Sequence, residues 1–134
     1  MTAYAVQKVV AQYCQFIDDA RFDDLAALFA EDGVLDVSSF GIRKEGRQAV
    51  RDQFRQLTDP SVKGTHCTFN PIIDISGGTA TGSFDYLWVG YNKQPQIGIA
   101  GRYRLRFVAS GERWLISEMK VEVRSNPAHI AAAQ

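Results

Sequence analysis

The chain has 134 residues, of which 46% are hydrophobic and 22% charged. That is the size and make-up of one compact globular domain. Its 15 basic and 15 acidic residues cancel, so no chain-wide field draws it to nucleic acid or to an anionic membrane.

The first half is helical in pattern. Val6, Val9, Val10, Tyr13, Ile17 and Ala20 recur at three- and four-residue spacing and form one apolar stripe. A second short helix is expected over "FDDLAALFAEDG", with Asp23 and Asp24 in its first turn and Gly33 ending it. "VLDVSSF" then reads as a short strand. "GIRKEGRQAVRDQFRQL" reads as a turn and a third helix facing inward through Val50, Phe54 and Leu57. "TDPSVKG" is a polar break. The second half alternates as strands do, at about 65–76, 80–93, 97–109 and 113–124, with turns at "SGG", "NKQPQ" and "SGE". In "GIAGRYRLRFVA", Arg102, Arg104 and Arg106 point one way and Tyr103, Leu105 and Phe107 the other. The arginine side is read as a solvated or subunit-facing sheet surface. Helices first and a meander of long strands after predict an α+β fold. The glycines inside strands suit a sheet curved enough to enclose a pocket.

Cys14 and Cys67 make no C-x-x-C or Cys/His cluster, so neither a disulfide framework nor a structural metal is expected. No window approaches the ~20 apolar residues that span a bilayer, and no signal-peptide pattern opens the chain. The expectation is a single cytoplasmic domain over 1–134, with a tail from about 125.

Two neighbouring carboxylates, Asp18 and Asp19, end the first helix, where the backbone dipole disfavours negative charge. At ~100° per residue, Asp19 falls opposite the apolar stripe, toward water. Asp18 falls at its border above Cys14. Asp18 is either a rim carboxylate bonded locally or one that leans into a cavity between helix and sheet. His66 opens the first long strand. In a regular strand His66, Thr68 and Asn70 share one face, while Cys67 and Phe69 pack on the other; Pro71 is positioned to introduce a bulge. His66 gains chemical meaning only beside a carboxylate.

Taken in order, "Y…D…FDDLAALFAEDGVLD…G", "G-x-H…N" and "G-x-Y…G-x-x-W-x-I" resemble the SnoaL-like branch of the nuclear transport factor 2-like superfamily over about residues 4 to 124. The resemblance implies a cone-shaped α+β barrel: three helices on a strongly curved, mostly antiparallel sheet, with an apolar pocket in the cone. It also implies a homodimer or homotrimer formed through the sheet. Within the superfamily the chain's functional resemblance is to scytalone dehydratase and hexachlorocyclohexane dehydrochlorinase, whose catalytic Asp and His match Asp18 and His66. In those enzymes the pair is a general base that uses no metal or organic cofactor.

Two tyrosines of scytalone dehydratase match Ile17 and Val37 here, and the basic pocket residues of the dehydrochlorinase have no secure counterpart. Tyr13, Trp88 and Tyr103 are candidates for pocket surface or for core packing. Asn70 is a candidate for a bond to substrate or to its own strand. The function expected is a lyase or isomerase acting on a small apolar, cyclic ligand. The alternatives are a SnoaL-like polyketide cyclase and a non-catalytic ligand-binding or accessory subunit.

Overall fold

The computed structural model describes residues 2–92 and 96–125, without the side chains of 96 and 97. The expected tail, His129 and most of the "NKQPQ" turn lie outside these residues. Helix α1 spans Ala3–Asp18, α2 Phe22–Ala27 and α3 Arg47–Leu57. The strands are β1 Phe29–Val37, β2 Ile42–Glu45, β3 Gly64–Ser76, β4 Thr79–Gly90, β5 Gln96–Ser110 and β6 Arg113–Ser125. They form one sheet in the order β2-β1-β6-β5-β4-β3, antiparallel except where β1 runs parallel to β6. The three helices pack on the concave face of this curved sheet, the α+β cone that the sequence led us to expect. No helix among the described residues is long and apolar enough to cross a membrane.

Alternation decides which side of the sheet is buried. Tyr103, Leu105 and Phe107 of β5 lie inside with Phe84 and Tyr86 of β4 and Trp114, Ile116 and Met119 of β6. Val6, Val9, Val10 and Tyr13 of α1 close over them. Each such side chain, once buried, contributes on the order of 1.5–3 kcal/mol. The arginines face outward and are paired across strands: Arg102 with Asp85 at 2.7 Å, and Arg104 with Glu122 at 2.5 Å. Those partners hold the Asp85 and Glu122 carboxyls below their ordinary range, chiefly through the hydrogen bonds from Arg102 and Arg104 respectively.

Three local readings are corrected. Helix α2 stops at Ala27, and the segment expected to finish it begins β1 instead. Gly33 is therefore no helix terminus. A Cβ there would lie 2.9 Å from the Ala30 carbonyl oxygen and 3.1 Å from that of Ile116, so glycine is needed for close backbone approach at an irregularity between Phe29 and Val34. Arg47 takes up the Phe29 carbonyl with two hydrogen bonds, at 2.7 and 3.0 Å. Second, "IRKE" is a strand, β2, and not a turn. Third, Cys67 and Phe69 are exposed, because α1 lies on the opposite face of β3, the face that carries His66 and Thr68.

Helix α1 ends in a left-handed turn. Ala20 has φ +55°; its N–H donates to the Ile17 carbonyl, and the Arg21 N–H donates to that of Phe16. This is the Schellman arrangement, which favours glycine at the position Ala20 holds. Ala20→Gly should relieve the left-handed strain and stabilise the fold by about 0.5–1 kcal/mol, read as a melting temperature a few degrees higher. An unchanged or lower melting temperature would contradict this account of the helix end.

Candidate active site

The Schellman turn leaves Asp18 as the last helical residue, aimed at the start of β3. Its carboxylate accepts three contacts from one residue. The His66 backbone N–H lies 3.1 and 3.0 Å from Oδ1 and Oδ2, and the His66 ring Nδ1 lies 2.6 Å from Oδ1. An ionised carboxylate only accepts, so Nδ1 is the donor, and in the neutral imidazole Nε2 then keeps the lone pair. The two side chains keep 15% and 17% of their surface exposed. That is open enough to meet a ligand and closed enough to strengthen the charge-assisted bond. Asp19, the next residue, is exposed to solvent.

Asp18 and His66 face a cleft of about 280 Å³ at the end of the cone where α1 and α3 finish and β3 begins. Ile17, Leu57, Val62, Trp88 and Ile99 supply its apolar walls; Thr58, Asp59 and Gly64 complete it. Among the described residues its lining contains no Lys or Arg. The Asp59 carboxylate accepts from the Ser61 N–H at 2.9 Å and from the Ser61 hydroxyl at 2.7 Å, an Asx turn that shapes the rim. Cys14, one turn before Asp18, has its thiol pushed up to about 12 by burial and then by the Asp18 charge, so it stays protonated and is no nucleophile. Among the described residues no three His, Cys, Asp or Glu side chains gather where one ion could be held.

Of the six residues selected from the sequence, the structure brings Asp18, His66 and Trp88 to this cleft. Tyr13 and Tyr103 lie behind it in the core. Tyr13 packs edge-on against Tyr103 at 5.5 Å and against Phe54 at 5.7 Å, and Tyr103 stacks on Tyr86 at 4.0 Å. Burial raises both phenols well above their ordinary range. Tyr13 still supports the site, because its ring meets the His66 imidazole edge-on at 6.5 Å. Asn70 leaves the His66 face altogether. A one-residue bulge between Phe69 and Ile72 turns it to φ +53°, and its amide donates to Asp85 at 2.9 Å on the outer face.

Thr58, Asp59 and Val62, in a segment read only as a polar break, wall the cleft; they carry no periodicity that could have revealed it. If Tyr103 serves packing alone, Tyr103→Phe should cost about 1 kcal/mol for the lost side-chain hydrogen bond with Tyr13 and leave ligand affinity at the cleft unchanged. A several-fold loss of affinity, measured by titration, would put its hydroxyl in the site.

The profile of the SnoaL-like domain matches residues 2–120. No curated protein matches the chain significantly. Several solved structures share its fold. A protein of unknown function with a cystatin-like fold from Nostoc punctiforme is 21% identical, with a TM-score of 0.85 over 96% of this chain and 98% of its own. A candidate scytalone dehydratase from Novosphingobium aromaticivorans is 21% identical, with a TM-score of 0.79 over 91% of this chain and 83% of its own. The β subunit of a candidate aromatic-ring-hydroxylating dioxygenase from the same organism is 18% identical, with a TM-score of 0.75 over 91% of this chain and 88% of its own. At such identities the likeness is one of fold. The profile match, which runs through α1, the cleft and most of β6, carries the assignment: this chain belongs to the SnoaL-like domain family.

Proposed function

We propose that the protein is a lyase or isomerase in which His66 is the general base and Asp18 its orienting partner. The observation that carries this reading is the 2.6 Å contact between Asp18 Oδ1 and His66 Nδ1 beside an apolar cleft. In an elimination, Nε2 takes a proton from one carbon, and the C–H electrons become the new double bond. The leaving group on the adjacent carbon departs with its bonding pair. In an isomerisation the imidazolium returns the proton to a different carbon. Asp18 keeps the proton-free nitrogen turned to the substrate and stabilises the imidazolium that forms.

The cleft limits the substrate. A cavity of ~150 Å³ holds benzene, so about 280 Å³ suits one or two rings and is narrow for the polycyclic substrate of a polyketide cyclase. Two carboxylates and, among the described residues, no Lys or Arg in the lining disfavour an anion, and the apolar walls favour an uncharged molecule. The dehydratase-like fold neighbour is consistent with this class of reaction. We further read the outer sheet face as the site of homodimer or homotrimer assembly.

A second reading is an accessory subunit, in which the Asp18–His66 contact only latches α1 to β3. It is favoured by exposed Phe69, Ile72 and Ile75 along edge strand β3, and by the dioxygenase β subunit that shares the fold. The two separate experimentally. On a panel of uncharged one- and two-ring β-hydroxy and β-halo ketones, followed by enone absorbance, His66→Gln and Asp18→Asn should each lower turnover about 10²–10⁴-fold. The double variant should lose little more than the worse single one, because the two act as a unit. Melting curves check that both variants fold. Turnover that survives in either folded variant would sink the general-base reading.

A further inference from the structure

Trp88 sits directly across from His66 in the β3–β4 register, on the same face of the sheet, and lines the cleft. Its indole meets three glycines on three strands. A Cβ at Gly64 of β3 would lie 2.6 Å from Cε2 and Cζ2, on one long edge of the ring. A Cβ at Gly98 of β5 would fall 2.5 Å from Cζ3, on the opposite edge. A Cβ at Gly90 of β4 would lie 2.9 Å from Cη2, at the tip. Contacts from both neighbouring strands on opposite edges, with the tip over its own strand, mean that the indole plane runs parallel to the sheet. One face rests on glycine backbone and the other is presented to the cleft. Any side chain at these three positions would lift or tilt the ring, and glycine inside a strand is otherwise unfavourable.

We propose that Trp88 is a stacking platform that makes the cleft selective for a flat, conjugated, uncharged molecule of one or two fused rings. It would hold such a ring with an edge toward His66 Nε2. This deepens the general-base reading and rests on the same cleft, but it concerns recognition and is tested without turnover. A ring stacked on the indole gains the offset π contact that a puckered saturated ring of equal size forgoes. Cross-strand neighbours have Cβ atoms only ~4.5–5.5 Å apart, so a ligand over the indole lies within reach of the imidazole beside it. The plain alternative is that the indole merely covers the glycines, filling the space their missing side chains leave.

The test compares 2-naphthol with 2-decalol, which share a carbon skeleton and a hydroxyl but differ in flatness. Binding to the full chain is followed by NMR, reading the Trp88 indole N–H signal and the ligand proton shifts. The platform predicts that 2-naphthol binds on the order of ten-fold more tightly than 2-decalol, the size of one good aromatic contact, with its ring protons moved upfield by the indole. Trp88→Leu should bring the ratio to about one, mainly by weakening 2-naphthol. Gly98→Ala should do the same while keeping the indole, because the added methyl lifts it; if that variant does not fold, Trp88→Leu decides alone.

Equal binding of the two ligands to the wild type, binding of neither, or a preference that survives Trp88→Leu would overturn the platform. Each outcome is separable from failure of the catalytic reading. A Trp88-dependent preference in a protein without turnover would leave the platform standing alone. His66-dependent turnover without that preference would leave the base standing alone.

Discussion

Everything about this site depends on a carboxylate at the unfavourable end of a helix. Asp18 closes α1, where the unpaired carbonyls already present negative charge. It is offset by donors from outside the helix, the backbone N–H and the Nδ1 of His66. The first donor belongs to strand geometry and the second to the side chain, so the carboxylate reads both the position and the ring orientation of one residue. That ties the end of α1 to the start of β3 across 48 residues of chain. In the neutral imidazole this contact favours the Nδ1–H tautomer.

The rest of the cone makes that contact usable. A wide curved sheet could hold a deep cavity, but here Tyr13, Tyr86, Tyr103, Phe54 and Phe107 fill the interior. Open space remains at the mouth, beside the dyad and over Trp88. Tyr13 meets the His66 ring edge-on and is itself backed by Tyr103, which stacks on Tyr86. The proposed ligand chemistry follows from what the mouth offers among the described residues: an imidazole bonded to a carboxylate, an indole, apolar walls and no Lys or Arg. The outer sheet face differs in kind. Its cross-strand ion pairs fix strand register, and its apolar residues gather on the β3 edge.

Much of this was legible in the sequence where a period governed it. The apolar stripe of α1 separated Asp18 from Asp19, because 100° per residue puts them on different sides of the helix. The alternation of β5 correctly turned Tyr103 inward and the arginines outward. Illegible features were those set by interruptions of the period. The bulge after Phe69 moved Asn70 to the other face, and nothing in "FNPI" states where the extra residue goes. "LFAEDG" is short and apolar enough for helix or strand, and pairing with β6 decided for strand. Tyr13 and Tyr103 were recognisable as inward but not as deep, since depth depends on how far α1 settles onto the sheet. The role of Gly64, Gly90 and Gly98 around Trp88 is invisible before three strands are brought together.

The most direct test of the central claim is the ¹⁵N NMR spectrum of the His66 imidazole near neutral pH, assigned against His129 by substitution of the latter, in the wild type and in Asp18→Ala. The account predicts that in the wild type the neutral ring carries its hydrogen on Nδ1 and that Nε2 gives the unprotonated, pyridine-like signal. The Asp18→Ala ring should drift to the Nε2–H form that free imidazole side chains prefer. An Nε2–H tautomer in the wild type, or a spectrum that Asp18→Ala leaves unchanged, would mean that Asp18 does not set the state of His66. The general base would then have no foundation.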